Sequence, residues 1–157
     1  MLVMRFVQYS VILVFTLLCL HLNAVRAELL GDYIGAQNCA ACHEEIAASW
    51  AKTRHANAFE HLKKEGKDTT PGCVKCHSVA YEQDGGFIDM ELTPELAGVQ
   101  CESCHGPGNK HRDTEDPAHI IRNMKKEGCR TCHTPGQDAN FDFTQKVKQI
   151  HPVKELK

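Results

Sequence analysis

The pattern C-x-x-C-H occurs four times in this chain of 157 residues: "CAACH" at 39–43, "CVKCH" at 73–77, "CESCH" at 101–105 and "CRTCH" at 129–133. Of the nine cysteines only Cys19 stands outside it. In a helical turn, residues three apart share a face, so both sulfurs of such a pair reach the two vinyl groups of one haem as thioethers. The following residue carries its imidazole to the iron. Even numbers of cysteines in a secreted chain usually mean disulfides, and paired cysteines often mean zinc. Neither arrangement requires a histidine after every pair. A thioredoxin-like reading fails because four such sites leave no room for the βαβ scaffold that this motif needs. The sequence therefore specifies four covalent haem c groups, on Cys39 and Cys42, Cys73 and Cys76, Cys101 and Cys104, and Cys129 and Cys132, with His43, His77, His105 and His133 as proximal ligands.

The start of the chain bears on the compartment. A basic opening that ends at Arg5 is followed by the apolar run "SVILVFTLLCL" and by "NAVRA", with Val25 and Ala27 at the small-residue positions of a signal peptidase site. The apolar run is shorter than the roughly 20 residues that a spanning helix needs. A lipoprotein reading through Cys19 is weak, since Leu18 precedes it. Residues 1–27 are thus expected to be a cleaved signal peptide, and residues 28–157 one periplasmic tetrahaem domain. That domain holds 16 basic against 20 acidic residues, a balance of −4, which does not suggest nucleic acid.

The motifs begin 34, 28 and 28 residues apart. About 30 residues per haem are too few to wrap each one separately, so the haems must share one core. The expected fold is mainly α, small and loop-rich, with little β structure. Residues 43–65 read as one helix stopped by Gly66, with Ala51, His55, Phe59 and Leu62 on one stripe. "AYEQDGGFIDMEL" reads as a short hairpin that turns at Asp84, Gly85 and Gly86. Asp116 and Pro117 start a helix over "AHIIRNMKKE" that Gly128 closes. A last helix begins near Asp142 and stops before Pro152, with Phe143, Val147, Ile150 and His151 on its apolar side.

Five histidines of the mature part lie outside the motifs: His55, His61, His111, His119 and His151. They are the reservoir for second axial ligands, because Met90 and Met124 read as packing residues. His55 and His151 sit on apolar helix faces, and His111 is held by the Gly106-Pro107-Gly108 loop. His119 has no clear apolar face, and His61 is turned away from the His55 stripe. Bis-histidine ligation implies low reduction potentials, because a thioether in place of the second histidine is what raises them.

The stretches "CAACHEEIAASWAKTRHANAFEHLK", "GVQCESCHGPGNKH" and "FDFTQKVKQIHPVK", in that order, resemble the tetrahaem cytochrome c-554 family. The resemblance implies stacked haem pairs, first with third and second with fourth. It implies His55 as distal ligand opposite His133, His151 opposite His105, and the histidine after the "CESCHGPG" loop opposite His43. This chain is shorter than the family pattern and its loop histidine lies closer to His105, which leaves His111 and His119 both open for that last role. The haem on His77 is five-coordinate in the family's best-known member.

Two function classes follow. One is an electron carrier between redox protein partners, with docking to a quinone-linked membrane cytochrome as one form of it. The other is an enzyme that binds or reduces a small nitrogen oxide, such as nitric oxide, at an open second haem. Nothing beside Cys73–His77 supplies an obvious proton-donating pocket; Tyr81, Glu82 and Asp84 read as a solvated turn. A carrier needs no such pocket and is the simpler expectation, with no catalytic residue named.

Overall fold

The computed structural model describes residues 12–18 and 32–150. The expected cleavage point after Ala27, Cys19 and the terminal His151 lie outside them. Residues 12–18 form a helical stretch by themselves, with Ile12, Leu13, Val14 and Phe15 exposed. No helix among the described residues is long and apolar enough to cross a membrane.

From Asp32 onwards the chain is built of short helices joined by turns: α1 (Ala36–Ala40), α2 (Glu44–Trp50), α3 (Ala58–Lys64), α4 (Pro71–His77), α5 (Cys101–His105), α6 (Asn109–Thr114), α7 (Lys126–Arg130) and α8 (Phe143–Lys146). Single 3-10 turns occur at Pro94–Leu96, Pro117–His119 and Val147–Gln149. Among the described residues the only β feature is an isolated antiparallel bridge between Ser78 and Ala97. The mainly helical, loop-rich fold expected from the sequence is the one that forms. The protein core is small: Phe59, Leu62, Val74, Val79, Phe87 and Leu96, with the Phe59 and Phe87 rings edge-on at 5.1 Å.

Three expected elements come out differently. The helix over 43–65 divides into α2 and α3, because residues 51–57 turn. Thr53 Oγ1 accepts from Ala56 N at 3.4 Å, Thr53 O accepts from Asn57 Nδ2 at 3.0 Å, and Val99 N donates to His55 O at 3.3 Å. Polar side chains that bond to nearby backbone compete with the helix ladder. Of the expected stripe, Phe59 and Leu62 are buried on α3, His55 is half-buried on the turn and Ala51 is exposed. The hairpin does not form either. Phe87 N donates to Val79 O at 2.8 Å, but Val79 N goes to Leu96 O at 3.0 Å, so the loop closes without a ladder. Ala80 and Glu82 take positive φ there, and a Cβ on Gly86 would stand 1.9 Å from Ala80 O.

The third difference lies between Asp116 and Gly128. Asp116 caps as expected, accepting from Ala118 N at 2.8 Å, yet only Pro117–His119 coils. Ile121 N then donates to His105 O at 3.0 Å, which draws the chain out of helix. Gly128 sits inside α7, where a Cβ would meet Met124 Sδ at 2.1 Å, and does not close a helix. The last helix does begin at Asp142, whose carboxylate accepts from Thr144 N and Gln145 N at 2.9 and 3.3 Å. Phe143, Val147 and Ile150 are half-buried along it.

One buried carboxylate holds the N-terminal strap to the third motif. Glu102, 3% exposed, accepts from Ile34 N at 3.0 Å, Gly35 N at 2.8 Å and Gly108 N at 2.7 Å. Gln100 beside it accepts from Ala36 N at 2.6 Å and donates to Glu95 O and Ala97 O at 2.7 and 2.8 Å. Replacing Glu102 by Ala strands three backbone donors and is expected to cost about 3 kcal/mol, read as a lower midpoint in thermal unfolding of the holoprotein. Gly86→Ala should cost about 2 kcal/mol through the clash with Ala80 O, measured in the same way; an unchanged midpoint would show that the loop gives freely.

Candidate haem-binding site

Each of the four motifs adopts the helical turn that its spacing requires. α4 and α5 contain theirs whole, Pro71–His77 and Cys101–His105. The first and fourth motifs begin in α1 and α7 and finish in one further turn, with His43 N donating to Cys39 O at 2.9 Å and His133 N to Cys129 O at 3.0 Å. Both sulfurs of each pair therefore lie on one side of a helical turn, with the histidine directly after. Cys39, Cys42, Cys73, Cys76, Cys101, Cys104, Cys129 and Cys132 are not joined in disulfides. Among the described residues no group of three or more His, Cys, Asp and Glu is arranged to hold a bare metal ion.

The thiols of different motifs lie close to one another. Cys39 and Cys101 share a hydrogen bond, which raises the first and lowers the second. Burial and then Cys132 push Cys76 up to about 11. Cys104 is likewise raised to about 11, by burial and then by Cys129 and Cys132, and burial also raises Cys129. The sulfurs so connect the motifs in the order first, third, fourth, second.

The imidazoles are oriented by what holds their Nδ1 atoms. His77 Nδ1 meets Ala58 O at 2.9 Å, His105 Nδ1 meets Ile121 O, and His133 Nδ1 meets Asp138 Oδ2 at 3.0 Å. An acceptor at Nδ1 fixes the proton there and leaves Nε2 as the free donor, which is the tautomer a ligating histidine needs. His111 has the same support from Asp116 O at 3.0 Å. His119 Nδ1 faces Thr114 Oγ1 at 2.8 Å.

Two motif histidines face a histidine from outside the motifs. The rings of His43 and His111 stand 6.2 Å apart at 13°, and those of His55 and His133 stand 6.0 Å apart at 59°. Two imidazoles that bind one metal ion from opposite sides, each through a bond of about 2 Å, hold their ring centroids roughly 6 Å apart. Donor set and spacing both fit a haem iron. The ring that faces His43 is that of His111. Burial, then the neighbouring His133 and His77, depress the pKa of His55 and favour its neutral, ligand-competent form. Trp50 Nε1 donates to Val99 O at 3.1 Å and so ties the chain ahead of His55 to the third-motif segment.

Three residues that the sequence did not single out help to hold this arrangement. Glu102 and Gln100 make contacts more than sixty residues away in the chain, for which no local pattern exists. Asp138, five residues after His133, could have been noticed as a carboxylate one turn beyond a motif histidine.

Comparison with known proteins gives one family. A family model described as "Cytochrome c554 and c-prime" matches residues 38–106. A curated cytochrome c-554 from Nitrosomonas europaea is 34% identical over 134 residues, which covers 74% of this chain and 56% of that protein. The chain thus spans little more than half the length of this relative. The solved structure of the reduced state of cytochrome c554 from Nitrosomonas europaea is similar, with 28% identity and a TM-score of 0.58, covering 78% of this chain and 85% of that one.

Proposed function

The chain belongs to the cytochrome c554 family, and from that membership and the geometry of its four motifs we propose that it is a periplasmic electron-transfer protein working between redox protein partners. Four haem c groups are its cofactors, and haem c supplies reversible one-electron chemistry at iron. The observation that carries the reading is the pair of ring spacings near 6 Å, each joining a motif histidine to a histidine from elsewhere in the chain.

In this reading the four cysteine pairs hold the haems by thioethers, and His43, His77, His105 and His133 are the proximal ligands. His111 is the distal partner of His43 and His55 that of His133; His151, by family resemblance, serves His105. The chain's work is to hold and to orient. Ala58 O, Ile121 O and Asp138 keep the Nδ1 protons of His77, His105 and His133 in place, so that these three rings neither turn nor change tautomer as the charge at the Nε2 side changes. Rigid ligands of unchanged identity keep the reorganisation that accompanies each electron small, as suits a carrier. The close sulfurs of the first and third motifs, and of the second and fourth, support haems packed within reach of one another. Residues 1–27 serve as the export signal and are removed, which is consistent with haem attachment outside the cytoplasm.

The matured protein is expected to gain the mass of four haems and to show low-spin signals by low-temperature EPR. His111→Ala should turn one low-spin signal high-spin, whereas His119→Ala should leave the spectrum unchanged. The reverse result would overturn the assignment of the first haem's ligands, and a different haem count would overturn the functional reading.

A further inference from the structure

The histidine of the fourth motif is held at Nδ1 by a charged atom. His77, His105 and His111 are held by the neutral carbonyls of Ala58, Ile121 and Asp116. His133 meets the carboxylate of Asp138 at 3.0 Å. The sequence "HTPGQDANF" is bent to make this contact: Thr134 O accepts from Gln137 N at 3.0 Å and from Asp138 N at 2.8 Å, and Asp138 O accepts from Phe141 N at 3.2 Å. Phe141 then stacks on the His133 ring at 4.6 Å and 24°. Arg130 closes the assembly, donating to His133 O at 2.9 Å and to Phe141 O at 3.2 Å, with its guanidinium 4.9 Å from the Phe141 ring centre. Among the described residues the ion-pair partner of Asp138 is His133.

We propose that Asp138 is a positioning residue that lowers the reduction potential of the haem on the fourth motif, by accepting the His133 Nδ1–H through a full negative charge. The proposal rests on the assignment of His133 as an iron ligand. An outer carboxylate on the second ring nitrogen makes an imidazole a stronger donor to its metal. It also stabilises the more positive, ferric state by direct charge interaction at short range. The balance is simple: reduction brings one electron from the redox partner, the proton stays on Nδ1, and no bond is made or broken. A backbone carbonyl orients a ring equally well but carries no net charge, so the Ala58 and Asp116 carbonyls give His77 and His111 no comparable bias. The positive charge of Arg130 acts in the opposite sense, yet it engages carbonyl oxygens and the Phe141 ring, whereas Asp138 bonds the imidazole itself.

The test uses the full chain carrying its four haems. Asp138→Asn keeps the size and an oxygen acceptor while removing the charge; Asp138→Ala removes both. Spectroelectrochemical titration of Asp138→Asn should show one of the four steps displaced, with the reduced-to-oxidised ratio at fixed potential raised about tenfold, about 59 mV for one electron. Asp138→Ala should move the same step at least as far. The g values of a single low-spin EPR component should change with it, while the other three steps stay in place. A purely structural Asp138 would instead lower the unfolding midpoint and leave every potential unchanged. Four unshifted potentials in a variant that retains four haems, or an equal shift of all four, would overturn the proposal. An unsubstituted protein with fewer than four haems would overturn the functional reading beneath it.

Discussion

The carboxylate of Glu102 is the point on which the rest of the structure depends. It lies within the third motif, between Cys101 and Cys104, and its two oxygens bind the backbone of Ile34, Gly35 and Gly108. These are the strap ahead of the first motif and the loop that leads to His111. A buried charge is tolerable only when it is fully bonded, and the three donors supply that condition. Gly35 (φ 76) can adopt the left-handed backbone that brings its N–H inward, and at Gly108 a Cβ would press on Glu102 Oε1 at 3.1 Å. One side chain thereby fixes the strap, the third motif and the His111 loop relative to each other, and the 6.2 Å separation of His43 and His111 follows from that.

Around this clamp the protein has little core of its own. Six buried apolar residues cluster near the second motif, while the first, third and fourth motifs are joined mainly by polar contacts and by sulfurs near one another. A chain of this build relies on its prosthetic groups for the apolar surface that an ordinary domain would supply with side chains. The short helices fit the same demand. α4 and α5 each place two thiols and one imidazole, while α1 and α7 place the first thiol of a motif and give way to the turn that completes it.

Much of this was legible in the sequence, for physical reasons that differ by residue. The C-x-x-C-H turns were readable because the chemistry needs only local helical spacing. The start of the last helix was readable because Asp142 is a good cap. His55 was singled out by a helical stripe, yet it stands on a turn, since Thr53 and Asn57 bond to nearby backbone in place of continuing the helix. The region after Asp116 was misread because helix propensity in "AHIIRNMKKE" loses to a tertiary hydrogen bond from Ile121 to His105. Glu102 and Gln100 were invisible because a polar residue's distant backbone partners leave no periodic trace.

The separation of sixty-eight positions between Ile34 and Glu102 also bears on the order of events as the chain is made. "CAACH" leaves the ribosome well before "CESCH", and α1, with five residues, is too short to persist in isolation. Its first backbone donors find their acceptors only when Gln100 and Glu102 have emerged. Until then the backbone just ahead of the first motif lacks the acceptors that hold it in the folded chain.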